Sequence, residues 1–468
     1  MGGPDWSHYT KSGGVLRRLR MRRDRKMGKK QFAARLAIIG AAAILLLIAA
    51  VYLNRRRQSG EDEILRFGMF AGSYWDVPNG NCYEIIDDAI ARFEKAHPGV
   101  KVEYVSGILK EDYSEWLAEQ VLLGKEPDVF LIPAGELATL ASSRILKNLN
   151  GVIQKDKDFH KESYYQAAYR YGNWKQKQYA LPYESVTTLM FVNKTLLNNE
   201  GIAMPGNTWS WNDFLTICRQ VTKDTDHNGI TDQFGYYGYS WQDAAYSNGL
   251  SLFNEDGTAS YFGDERMEAA LRFVKELEEI NQGYTVTAKD FDKGKVAFRP
   301  LAFSEYRTYK PYPWRIKKYS DFEWDCVKMP SGPSGGSRTE LNTLLMGISS
   351  RTNHETMAWE FMKTLCYEED TQLALLQQSQ GMPVIRKVTE SPQFQALLKS
   401  EAPGRNAAVD MNIIGQVMEE AVEMPNFRLY PSAMTMADGE ISRMLKGEAS
   451  MDSGLLKLQR EINALLKE

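Results

Sequence analysis

The chain is poor in the residues that build metal and redox centres. Its 468 residues include four cysteines, Cys82, Cys218, Cys326 and Cys366, and five histidines. No two cysteines form a C-x-x-C pair, which leaves buried thiols or an incidental bridge as the expectation. There is no H-E-x-x-H and no glycine loop ending in Lys-Ser/Thr to cradle a phosphate. Adjacent carboxylates such as Glu278/Glu279 and Glu419/Glu420 point to different sides of a helix, so neither pair makes an acid/base dyad. An enzyme is therefore not the expectation. There is also no internal repeat, and the only low-complexity stretch is Pro330–Ser337. With 25% charged and 43% hydrophobic residues, the composition excludes polytopic membrane, collagen-like and wholly disordered chains. Aromatics are plentiful, with 10 Trp and 24 Tyr, and such side chains serve binding surfaces as well as cores.

Charge is unevenly placed. Residues 1–35 hold eleven Lys/Arg and two Asp, a local charge of +9, which leaves −12 on the rest of the chain. An acidic body argues against a nucleic-acid groove. Residues 36–53 are eighteen uncharged residues that are almost all apolar. As a helix they would reach about 27 Å, close to the hydrocarbon thickness of a bilayer. Basic residues cluster before the run, so the expectation is a cytoplasmic segment 1–35, a retained transmembrane helix 36–53 and a linker 54–62, with everything beyond outside the cell. The long apolar core and the following Arg55-Arg56-Arg57 argue against a cleaved signal peptide, and no cysteine follows closely enough to carry a lipid.

Beyond residue 62 the hydrophobic pattern alternates between two periods. Strands are expected at 64–70, 100–105 and 127–133, and helices at 87–96 and 116–123. Further helices are expected at 264–280, 354–366, 371–380 and 453–467. This order predicts an α/β fold with a parallel sheet. Trp209 and Trp211 fall near a helix start that Ser210 or Asn212 would cap, and read as structural. Trp359 and Phe361 read as core. Pro330–Ser337 reads as a mobile connection.

Several runs carry a family likeness: PDVFLIPAGELATLASSRILKNLN (127–150), YALPYESVTTLMFVNKTLL (179–197), MPGNTWSWNDFLTICRQVTKDTDHNGITDQFG (204–235), NGLSLFNEDGTASYFGDERMEAALRF (248–273) and GMPVIRKV (381–388). In this order and spacing the chain resembles the bacterial extracellular solute-binding proteins of the carbohydrate type, which serve ABC importers. The resemblance implies a two-lobed periplasmic-binding-protein-like fold of the class II type, with a hinge and a central cleft. It places one lobe at 63–183 with 341–382 and the other at 184–340 with 383–468. It implies a carbohydrate ligand of oligosaccharide size, permease subunits in the membrane as partners, no nucleic acid, and a monomer. A membrane-tethered sensor or scaffold that kept the fold is the alternative. In two places the chain departs from the family pattern: the usual lipid-modified cysteine is missing, replaced by the anchor, and a wall of the ligand site changes. GKVAF (294–298) is followed by RPLAFSEYRTY without the usual tryptophan, which alters one wall of the ligand site.

Sugar sites need flat aromatic faces with a few placed polar groups. Four clusters have that make-up: Tyr74-Trp75-Asp76 after the first strand, Tyr183-Glu184 at the inferred crossing between lobes, Trp241 with Tyr246, and Phe303, Tyr306 and Arg307. The first follows the rule that ligands sit beyond the carboxyl ends of strands in open α/β sheets. Trp75 and Trp241 are the expected stacking platforms. The run DTDHNGITDQ (224–233) sets Asp224, Asp226, Asn228, the Ile230 carbonyl and Asp232 at calcium-loop spacing, with Gln233 as a weaker oxygen donor. One structural calcium ion is the expected cofactor there, and an Asp/Asn/Gly turn is the competing explanation.

Overall fold

The computed structural model describes residues 62–75, 82–254, 256–308, 322–401, 411–423, 425 and 427–467. The basic segment 1–35, the apolar run 36–53, residues 54–61 and Asp76 lie outside these. No helix of the described residues is long and apolar enough to cross a membrane. The described residues within 64–97 and 102–467 form one compact unit.

The described strands are β1 Glu63–Gly68, β2 Val100–Tyr104, β3 Val129–Ile132, β4 Asn173–Trp174, β5 Lys177–Gln178, β6 Ala180–Asn193, β7 Phe234–Tyr236, β8 Val296–Ala302, β9 Trp324–Val327, β10 Glu340–Ile348, β11 Met382–Pro383 and β12 Val422–Glu423. Ten of them share a sheet with the order β2-β1-β3-β10-β6-β8-β7, in which β9 and β11 also pair with β6 and β12 with β10. β4 and β5 form a separate small hairpin. The β1/β3 and β7/β8 pairs are parallel, as the alternation of strands and helices predicts. The sheet is nevertheless mixed, because β10 runs antiparallel to both β3 and β6, and β6 antiparallel to β8.

β6 is the long element. Its fourteen residues are buried except for Thr188. Ala180–Thr187 pair with β10, and Thr188–Val192 with β8. One continuous strand thus belongs to two sets of neighbours, and the change of partner falls at Thr187/Thr188.

The expected helices form at 82–96, 110–122, 265–280, 355–366, 369–378 and 451–465. The second begins six residues before the apolar run that announced it and stops before Gly124, whose φ of +67° suits a residue without a Cβ. The helix Trp211–Val221 opens on a capping box in which Ser210 and Asp213 satisfy each other's backbone N–H. Trp211 stacks on Phe273 at 4.2 Å, and the Trp209 indole donates to the Lys328 carbonyl at 2.8 Å. Both tryptophans are structural, as their sequence position suggested. Trp359 and Phe361 are buried. All four cysteines are free thiols, and three of them are buried.

Pro330–Ser337 departs from its expected looseness. The Gly332 N–H donates to the Ser247 carbonyl at 2.9 Å, and the Ser334 N–H to Asn248 Oδ1 at 2.9 Å. A Cβ on Gly332 would stand 2.4 Å from Asn248 Oδ1, so glycine permits the close approach that fastens this stretch.

Candidate binding site

The chain leaves β1 through Phe70 and turns at Ser73, Tyr74 and Trp75. Tyr74 is buried beneath Trp75, their rings edge-on at 4.8 Å. Lys110 donates to the Tyr74 carbonyl at 2.7 Å and lies 5.3 Å over its ring. Trp75 is only half-buried, and its indole N–H donates to Glu184 Oε1 at 3.0 Å. Glu184 lies on β6, opposite Leu344 of β10. Its second oxygen accepts from the Ser379 hydroxyl. A Cβ at residue 381 would stand 2.3 Å from Glu184 Oε2 and 2.8 Å from the Trp75 indole nitrogen, so only glycine fits there.

Burial pushes the Glu184 carboxyl up to about 7, against the opposing pull of Ser379, Trp75, Arg307 and the Gly381 N–H. Tyr183 is buried beside it, and its carbonyl accepts from Gln372 at 2.9 Å. Tyr74, Tyr183, Glu184 and Ser379 line a pocket whose other walls include Phe70, Ile86, Leu131 and Leu375. Arg307 is buried, donates to the Leu376 carbonyl and lies 6.0 Å from the Phe303 ring. Phe303 is wholly buried, a core position rather than an open wall. The Tyr306 side chain lies outside the described residues.

A second group gathers around the helix Trp241–Ser247, which Ser240 and Asp243 close with a capping box. The Trp241 indole donates to Asp438 Oδ1 at 3.0 Å, and Gln242 donates to the same oxygen at 3.2 Å. Trp241 is 8% exposed and joins the core around Phe262. It therefore offers far less face than Trp75. Tyr246 is buried, which pushes its hydroxyl well above the ordinary value, and the Tyr430 hydroxyl acts in the same direction. Burial pushes the Tyr171 hydroxyl well above its ordinary value, and the nearby Tyr74, Glu340, Tyr430 and Glu423 act in the same direction. Tyr171 thus stands within electrostatic reach of both groups, and the two belong to one neighbourhood.

Of the sequence candidates, the structure brings Tyr74, Trp75, Tyr183, Glu184 and Arg307 together and sets Trp241 and Tyr246 in the second group. Sequence reasoning missed Tyr171, Ser379, Gly381, Tyr430 and Asp438. Only Gly381 had a signal, as the first residue of GMPVIRKV.

The acidic loop 224–233 folds as a tight turn, with His227 at φ +59° and Gly229 at φ +89°. Asp224 accepts from the Gly229 N–H at 2.6 Å, and Asn228 Oδ1 from the Ile230 N–H at 2.8 Å. Asp226 accepts from the Asn228 N–H and side chain. Asp232 is held by the Thr225 N–H and hydroxyl and by Lys295 at 3.4 Å, which keep its carboxyl below the usual range. Gln233 donates to Glu200 and to the Val221 carbonyl. Among the described residues, no three His, Cys, Asp or Glu side chains are grouped to hold a metal.

One enzyme-like string does occur. Gly332-Pro333-Ser334-Gly335-Gly336 spells G-x-S-x-G. A nucleophile elbow needs a strand-to-helix turn, and this string joins β9 to β10 instead.

The chain belongs to the bacterial extracellular solute-binding proteins, whose family model matches residues 88–402. It is 23% identical over 393 residues to the galactooligosaccharide-binding protein of Bacillus subtilis, covering 79% of this chain and 84% of that one. The cyclic alpha-maltosyl-1,6-maltose binding protein of Arthrobacter globiformis superposes with a TM-score of 0.71 at 18% identity, over 87% of this chain and 99% of that one. The sugar-binding protein MalE of Xanthomonas citri gives 0.69 at 16% identity, over 86% and 97%. These likenesses show the periplasmic-binding-protein-like α/β fold, and the family is one of binding proteins rather than enzymes.

The Glu184 environment has a measurable consequence. Its folded-state value of about 7 lies above the ordinary 4.5, so the folded state holds this proton more tightly. The stability it lends is complete below pH 4.5 and is lost as pH rises through about 7. The stability of the wild type relative to Glu184→Gln should fall by on the order of 3 kcal/mol across that window. Urea unfolding at stepped pH measures it, and a difference that stays flat contradicts this account of Glu184.

Proposed function

We propose that this protein captures a carbohydrate, an oligosaccharide in size, between two lobes outside the cell and delivers it to the permease subunits of an ABC importer. The lobes are 63–183 with 341–382, and 184–340 with 383–468. The carrying observation is the contact from Trp75 to Glu184. It ties the loop beyond β1 to a carboxylate on the strand that both halves of the sheet share. Tyr74, Trp75, Tyr183, Glu184 and Arg307 form the polar and aromatic wall on one side, and Trp241 and Tyr246 stand on the other. Relatives named for galactooligosaccharide and for a cyclic maltosyl-maltose support the ligand class. Ligand that touches both lobes only when they meet shifts an open–closed equilibrium, and the permease reads the closed form.

The apolar run 36–53 is proposed as a retained single-pass anchor with a cytoplasmic N-terminus. Mass spectrometry of the membrane fraction should find peptides from residues 1–35 on the mature chain. A mature N-terminus beyond residue 45 would mean a cleaved signal instead. The loop 224–233 is proposed to take one structural calcium ion, because crowded carboxylates repel one another without a cation.

A thermal-shift screen of the chain against mono- and oligosaccharides tests the ligand class. A sugar at 100 times its dissociation constant should add about 2.7 kcal/mol of stability. Trp75→Ala should cost the binding sugar roughly 1–3 kcal/mol of affinity, in proportion to the aromatic face removed. Turnover of the sugars would point to an enzyme, and no shift from any sugar to a sensor or scaffold. Run with a chelator, the same scan should melt the parent earlier but leave Asp226→Ala unchanged. A parent indifferent to chelation leaves the loop as a turn.

A further inference from the structure

β10 carries two acceptors that nothing else in the site accounts for. Glu340 Oε1 and Asn342 Oδ1 are both buried atoms, and neither has a hydrogen-bond partner among the described residues. Both residues are only half-buried as a whole, so part of each side chain meets solvent although these two oxygens do not. Their register fixes which face that is. Asn342 lies opposite Val186 and Leu344 opposite Glu184 across the antiparallel β6/β10 pair. Side chains alternate along a strand and directly paired residues share a face. Glu340, Asn342 and Leu344 therefore line the same face as Glu184, to which Trp75 is tied.

The two glutamates on this face differ in their surroundings. Glu184 accepts from Trp75 and Ser379 and feels Arg307. Glu340 has no such company. Burial, with the Asp243 carboxylate beside it, pushes it up to about 7. The other groups that feel its charge are the tyrosines Tyr171, Tyr246 and Tyr430. Glu423, within reach of Tyr171, is already paired with Arg170 at 2.6 Å. Leaving buried acceptors unpaired is costly, and the cost is relieved only by a donor. A ligand that relieves both would offer one donor to each oxygen, on residues about 7 Å apart along the strand.

We infer that Glu340 and Asn342 form a hydroxyl-accepting subsite on the face of β10 beside Tyr246 and Tyr430, which takes the donor edge of one sugar ring while Trp75 and Glu184 hold another. The inference rests on the carbohydrate reading above and sharpens it. Glu340 and Leu344, the partner of Glu184, are four residues apart, about 13 Å in a strand. A ligand that meets both carboxylates is longer than a single ring. Neither Glu340 nor Asn342 is announced by the sequence, where they fall in the ordinary polar run SRTELN.

Calorimetric titration of the full chain with galactooligosaccharide, maltotetraose and cyclic α-maltosyl-1,6-maltose tests this. The variants are Glu340→Leu and Asn342→Leu, which remove the acceptors, and Glu340→Gln, which keeps an acceptor without the charge. For a sugar that binds the wild type, each Leu variant should weaken binding at least tenfold, with Glu340→Gln between. The ligand-free melting temperature of the Leu variants should hold or rise, because an unpaired buried acceptor has gone. Unchanged affinity in Glu340→Leu overturns the subsite and leaves the carbohydrate reading intact. Affinity lost only in step with a lower ligand-free melting temperature assigns the pair to packing and also overturns it. If none of the three sugars binds the wild type, the carbohydrate reading fails and the subsite falls with it.

Discussion

The buried strand β6 is the constraint on which the rest of the structure depends. A backbone of fourteen residues has to find partners for every N–H and C=O in an interior without water. It does so by pairing with β10 over its first half and with β8 over its second, with β11 and β9 adding edge pairs. This forces the mixed sheet and brings the segment after β8 close to the segment after β1. A strand shared in this way is also the one place from which side chains reach both halves of the sheet. Glu184 sits four residues before the change of partner.

Charge in this interior is handled in two ways. At Glu184 the cost of burial is partly offset by an indole, a hydroxyl and a nearby guanidinium, with Gly381 leaving the room for that packing. At Glu340 the neighbours are tyrosines and a second carboxylate, and one oxygen has no donor among the described residues. In the proposed reading, the first fixes the geometry of one wall of the site, and the second leaves bonding capacity for ligand to complete.

Much of this is legible in the amino-acid sequence. An alternating run locates β2 and short continuous apolar runs locate β1 and β3, and helical spacing finds six of the helices with starts up to six residues off, while Tyr430–Leu445 is missed. Trp75 and Glu184 stand out by their position after a strand and at a crossing. What stays hidden arises from pairing rather than period. That β10 runs antiparallel between β3 and β6, and so carries Glu340 onto the face of Glu184, is a fact of register between residues far apart in the chain. Trp241 is legible as an aromatic near the cleft but not as a core residue, since its burial depends on Asp438 and Phe262 arriving from elsewhere. The looseness read into Pro330–Ser337 fails for a similar reason, because the atoms that fasten it belong to Ser247 and Asn248.

The central claim is that ligand closes two lobes across β6. Small-angle scattering of the chain, with and without a sugar at saturation, tests it most directly. The account predicts a smaller radius of gyration and a shorter maximum dimension in the complex. Dimensions that stay the same at saturation, with binding confirmed in the same sample, would contradict it.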